Sequence, residues 1–136
     1  MIKDFEDLII YKKSRILAKQ VFDATKDSPF AHDYRFVQQI RAAAGSIIAI
    51  ILLKDLKDKG NKEFKNFLYI AKGSCGEVRS QLNRAFDFGY INEAVYQQMY
   101  NDCKILGSAI LHFILSLKSS DFVGTKYHDK SQDSNE

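Results

Sequence analysis

The sequence predicts an all-α, antiparallel up-down four-helix bundle over residues 1–119, followed by a disordered C-terminal tail over residues 120–136. Three observations predict it. Glycine (7) and proline (1) are scarce among 136 residues, too few for the many turns of an all-β chain. Helix breakers fall at regular intervals and leave four segments of roughly 23 to 28 residues, which short loops would join as antiparallel neighbours. Within the segments, apolar residues recur at i, i+3, i+4 and i+7, the repeat of one helix face.

The first segment carries Leu8, Tyr11, Ala18, Val21 and Phe22, a less regular stripe than the others. It stops at Asp27-Ser28-Pro29-Phe30, because proline removes a donor and pushes the preceding residue out of helical geometry. The second segment sets Val37, Ile40, Ala44, Ile47 and Ile51 on one side, yet from Ala42 to Leu53 it is apolar nearly all round. Such a helix must be covered on every side, either by a central place in the bundle or by a partner subunit on its back. Ile48 and Leu52 mark that back.

Gly60-Asn61 separates the second and third segments, glycine suiting a helix C-terminus and asparagine the next N-cap. The third stripe is the clearest: Phe64, Phe67, Leu68, Ala71, Cys75, Val78, Leu82, Ala85 and Phe86. Gly89 ends it, and Asn92 caps the fourth segment, whose stripe is Val95, Met99, Cys103, Leu106, Ile110, Phe113 and Leu117. From Ser119 the periodicity is gone, so nothing offsets the entropy of ordering the chain. Two lysines against four acids give the tail −2, and the bundle holds +5 of the chain's net +3.

The length suits one domain with one core. Hydrophobic residues at 46% and charged residues at 27% are globular values that exclude wholesale disorder. The N-terminus, Met1-Ile2-Lys3-Asp4-Phe5-Glu6-Asp7, is acidic-mixed and unlike a secretion signal. The uncharged stretches Ala42–Leu53 and Ile105–Leu117, twelve and thirteen residues, are both short of the roughly 18 needed to cross a bilayer. The expectation is a cytoplasmic protein with no membrane partner.

Little in the chain points to catalysis. His32, His112 and His128 are far apart, and none lies in a zinc-binding His-Glu-x-x-His pattern. Cys75 and Cys103 fall on core faces, where a free thiol behaves as a small hydrophobe. Glu63 and Glu77 lack the paired Glu-x-x-His motifs of a di-iron bundle. The sequence therefore predicts no enzyme, no metal and no cofactor. Gly73-Ser74-Cys75-Gly76 lacks the spacing of a phosphate loop and sits inside the helical repeat. Each mid-helix glycine costs about 1 kcal/mol against alanine, so Gly73 and Gly76 are expected at a close helix approach or an oligomer surface.

One surface feature stands out. Lys65, Lys72 and Arg79 are seven residues apart and stack along one edge of the third helix, with Lys62 near its start. Tyr69 and Asn83 share the edge, whereas Glu63 and Glu77 fall on the other flank. Upstream, Lys54, Lys57 and Lys59 are diluted by Asp55 and Asp58. A basic edge with an aromatic neighbour suits phosphate contact and base stacking.

The chain resembles the small four-helix proteins encoded in intervening sequences of 23S ribosomal RNA genes. The likeness runs along nearly all of residues 5–117: Phe5, Leu8 and Tyr11, then Gln39-Ile40-Arg41-Ala42-Ala43-Ala44 with Ser46-Ile47. It is strongest from Asn61-Lys62-Glu63-Phe64 through Phe67-Leu68-Tyr69-Ile70-Ala71-Lys72-Gly73-Ser74 to Glu77. The resemblance implies an up-down bundle, a homopentameric ring and no established enzyme activity. It also implies a link to retroelement accessory bundles, in which a basic pentamer engages nucleic acid and a reverse transcriptase. One departure is plain: where the family usually carries Asn-Ile-Ala-Glu-Gly, this chain has Ile50-Ile51-Leu52-Leu53-Lys54. If the family's polar pair is a functional site, it is lost here; if the pair only satisfies itself, an apolar replacement is tolerated.

The function expected is a non-enzymatic homo-oligomer that binds RNA or DNA through Lys62, Lys65, Tyr69, Lys72 and Arg79. The competing class is a protein-interaction scaffold whose basic edge is merely solvated.

Overall fold

The structure, a computed structural model, describes the backbone over residues 5–52 and 61–132 and the side chains of residues 9–50, 52 and 62–117. The described chain is α1 (Phe5–Thr25), a single 3-10 turn (Phe30–His32), α2 (Tyr34–Leu52), α3 (Asn61–Asp87) and α4 (Glu93–Gln132). Each helix packs on its neighbour in sequence, and α1 closes the ring against α4. The four-helix bundle expected from the periodicity is what forms. No strand occurs among the described residues.

The core is the set of stripes brought face to face. Phe64, Leu68, Ala71, Cys75, Val78, Leu82 and Ala85 of α3 meet Met99, Cys103, Leu106, Ile110, Phe113, Ile114 and Leu117 of α4, all buried. Phe86 and Val95, at the ends of their stripes, are instead exposed. The stripe of α1 is corrected. Its buried line is Ile10, Ser14, Leu17, Val21 and Thr25, and Phe22 lies on the surface. Two of those five are hydroxyl residues, which blurs the apolar pattern. Both bond their own helix, Ser14 Oγ to the Tyr11 carbonyl at 2.9 Å and Thr25 Oγ1 to the Val21 carbonyl at 2.7 Å, so burial leaves no donor unmet.

The connections match their breakers. At the end of α3, Gly89 takes φ +77°, Gly89 N–H bonds the Phe86 carbonyl and Tyr90 N–H the Ala85 carbonyl. This is a Schellman ending, and it requires a left-handed residue that glycine adopts without a Cβ penalty. Asn92 Oδ1 accepts from Val95 N–H at 2.8 Å and starts α4. Between α1 and α2, the 3-10 turn drops Phe30 into the core, 1% exposed. Its ring stacks 4.9 Å from Tyr90 and tilts 5.0 Å from Phe36. Arg84 lies over Phe36 at 4.5 Å, so one aromatic cluster closes this end of the bundle.

α2 is covered on one side only. Ala43, Ala44, Ile47 and Ile50 are buried, Ile48 is half-buried, and Ala42, Gly45, Ala49 and Leu52 are exposed. The helix is therefore not central in the bundle, and among the described residues nothing covers its back. Ile50, first residue of the stretch that departs from the family pattern, is part of the core. The side chains of Leu8 and Ile51, and residues Leu53 through Gly60 with Lys54, Lys57 and Lys59, lie outside the described residues. Among the described side chains, the last buried one of α4 is Leu117. The helical backbone continues to Gln132, over a sequence without an apolar stripe.

Candidate nucleic-acid interface

α3 presents the expected edge. Lys62 is exposed near its start, Lys65, Lys72 and Arg79 are half-buried, and Tyr69 is 42% exposed.

The structure divides this set. Lys72 and Arg79 line a cleft of about 160 Å³ between α3 and α4, together with Cys75, Cys103, Lys104, Gly107, Ser108 and Leu111. Lys62, Lys65 and Tyr69 are not part of its lining. Asn83, expected on the same edge, accepts a hydrogen bond from the Tyr96 hydroxyl and so is tied to α4.

Lys104 and Ser108 were not legible as site residues. The only signal in the sequence is that Lys104 follows the core residue Cys103, just as the basic edge of α3 flanks Cys75. Which flank of α4 faces which flank of α3 is set by packing and not by either repeat.

The floor of the cleft consists of small residues. A Cβ placed on Gly107 would meet the Cys75 Cβ at 3.8 Å, an ordinary van der Waals contact, so here α3 and α4 face each other across small residues. Cys103 Sγ donates to the Cys75 carbonyl oxygen at 3.2 Å across the same contact. The interaction with Cys103, followed by burial, pushes the Cys75 thiol well above the usual range and keeps it protonated. A protonated, buried thiol is a packing group, not a nucleophile.

The close approach expected at Gly73 and Gly76 is corrected. A Cβ at Gly73 would meet nothing within 4 Å, and at Gly76 only Nη2 of Arg79, 3.8 Å away on the same helix. Between them, Ser74 makes the contact with α2, its hydroxyl hydrogen-bonded to that of Ser46 at 2.7 Å. Of the proposed oligomer surface, Gly73 and Leu52 are exposed, while Ile48 and Gly76 are half-buried.

A larger cavity of about 420 Å³ lies between α1 and the start of α4, lined by Gln20, Asp23, Ala24, Ala94, Val95, Gln98 and Met99. It contains none of the expected site residues. Among the described residues, no three His, Cys, Asp or Glu side chains are grouped to hold a metal. No described helix is long and apolar enough to cross a membrane.

The family model described as 23S rRNA-intervening sequence protein matches residues 6–112, a span that reaches into all four helices and takes in the whole cleft. The chain belongs to this family. A solved structure from Bacteroides thetaiotaomicron, a protein of unknown function from the S23 ribosomal protein family, is similar with a TM-score of 0.72. The alignment covers 81% of this chain and 98% of that one at 21% identity, a likeness that speaks to the fold. No curated protein matches the chain. Within the 23S rRNA-intervening sequence protein family, this member thus pairs the bundle with a basic edge and an apolar α2 back.

Proposed function

We propose that this protein is a non-enzymatic, cytoplasmic homo-oligomer that binds nucleic acid through the α3 edge of Lys62, Lys65, Tyr69, Lys72 and Arg79. The observation that carries the reading is the pair Lys72 and Arg79, held half-buried in one cleft with no carboxylate in its lining. Among the described residues neither has an ion-pair partner. Cations without counter-charge at a crevice draw polyanions, and phosphate contact releases condensed counterions. Tyr69, 42% exposed on the same edge, supplies an aromatic ring of the kind on which a base can stack. The family's name ties it to 23S rRNA, so RNA is the first nucleic acid to test.

Oligomerisation is the second part of the proposal. Ala42, Gly45, Ala49 and Leu52 form an exposed, uncharged ridge on α2 that a second copy of the chain would cover. In a five-membered ring the bundles' +5 would multiply to about +25 before the tails' −10, a field large enough to steer a polyanion.

The test is RNA and DNA binding against salt. Three or four phosphate contacts per site give a log–log slope of about −3 to −4 on a duplex, and a shallower one on single strands. Replacing Lys65, Lys72 and Arg79 together by glutamine should flatten that slope and weaken binding alike across sequences, with the fold intact. No binding by the wild type at low salt, or equal binding by the folded triple variant, overturns the reading. The scaffold function, favoured by the bare α2 ridge, then replaces it.

A further inference from the structure

Part of the α3 edge faces a second helix across a cleft. Lys72, Cys75 and Arg79 recur at i, i+3 and i+7 on α3, and Lys104, Ser108 and Leu111 at i, i+4 and i+7 on α4. The two lines form the walls of the 160 Å³ cleft.

Glycines keep it open. Gly107 brings no side chain to the α4 wall where it meets Cys75, and Gly76 leaves bare backbone over which the Arg79 guanidinium lies. Side chains on a helix lean toward its N-terminus, so Arg79 is carried back over that turn, toward Lys72. Three cations from two helices share this crevice with one hydroxyl, that of Ser108. Among the described residues, none of the three has a carboxylate partner. Converging like charges repel, and an anion placed among them reverses the sign of the local energy. Ligand pockets for whole small molecules run from about 300 to 1,000 Å³, so a cleft of this size takes one tetrahedral oxyanion group and not a nucleotide.

We propose that the α3–α4 cleft is a phosphate seat, in which Lys104 and Ser108 of α4 join Lys72 and Arg79 to hold one phosphodiester group of the bound nucleic acid. Arg79 and the two lysines contribute charge-assisted hydrogen bonds, and Ser108 Oγ–H donates to a phosphate oxygen. This rests on the nucleic-acid reading above and adds to it a second helix and a fixed point along the strand.

The experiment measures single-stranded RNA binding against salt for the wild type and for Lys104→Gln, Ser108→Ala and Lys12→Gln. Lys12 is exposed on α1, away from the cleft, and its replacement removes the same formal charge. Lys104→Gln should lower the log–log slope by close to one contact's worth, about 0.7, and weaken binding by roughly tenfold near 50 mM salt. Ser108→Ala should weaken binding severalfold without changing the slope, and Lys12→Gln should change neither appreciably. If Lys104→Gln binds like the wild type, the cleft is not the seat, while the α3 edge reading stands. If Lys12→Gln loses as much as Lys104→Gln, net charge alone explains the effect and the seat is overturned. A wild type that binds no RNA overturns both readings together.

Discussion

Tyr90 donates its phenolic O–H to Asp33 Oδ2 at 2.9 Å, joining two connections that lie 57 residues apart in the chain. Asp33 also opens α2, its carbonyl accepting from Val37 N–H and its Oδ1 from Phe36 N–H at 3.4 Å. One side chain therefore caps a helix and ties the end of α3 to the start of α2.

That bond makes stability depend on alkaline pH. The hydrogen bond to Asp33, together with burial and the carboxylate charge, raises the Tyr90 hydroxyl above its ordinary value of about 10. Protonated Tyr90 is the form the fold favours. The contribution is full below pH ~10 and is lost as pH rises through the raised value. Tyr90→Phe should lower the melting temperature at pH 7, and the gap to wild type should close at alkaline pH. A gap that stays constant would show that the bond does not titrate with Tyr90.

Phe30 anchors the same end from below. Phe30→Ala removes a ring that is 1% exposed and packed on Phe36 and Tyr90, so it should cost about 3–5 kcal/mol and lower the melting temperature by about 10–20 °C. Thermal unfolding followed by circular dichroism reads it.

Among the described side chains the last buried one is Leu117, and from Ser119 the sequence carries no apolar stripe, so the chain beyond Ser120 should be dispensable for folding. Truncation after Ser120 should leave both melting temperature and oligomer mass unchanged. A clear loss of either would show that the segment docks.

The α2 ridge predicts assembly. Light scattering at tens of micromolar should give a closed cyclic oligomer, five-fold by family resemblance. Ala49→Glu places a charge on the exposed ridge, away from the bundle core, and should dissociate the assembly while circular dichroism stays helical. A monomeric wild type overturns the prediction.

Short-range physics was legible in the chain. Gly89 and Asn92 act on residues within a turn of themselves, so their roles as stop and start follow from backbone sterics and one side-chain acceptor. The α3 and α4 faces were legible for a similar reason, because period and apolarity coincide there. On α1 they do not coincide: Ser14 and Thr25 hide their hydroxyls in local bonds, and Phe22 sits outside under the Arg41 guanidinium at 4.8 Å. Likewise, an all-apolar run cannot say which of its sides is covered; packing buried Ile47 and Ile50 and left Ala49 and Leu52 bare.

The basic edge of α3 was determined by the sequence alone, since residues seven apart stack on any straight helix. That Lys72 and Arg79 face Lys104 and Ser108 was decided only by tertiary structure. The rotation of α4 about its axis is set by how its buried face packs on that of α3, a fit between residues on different helices that no periodicity within either one contains.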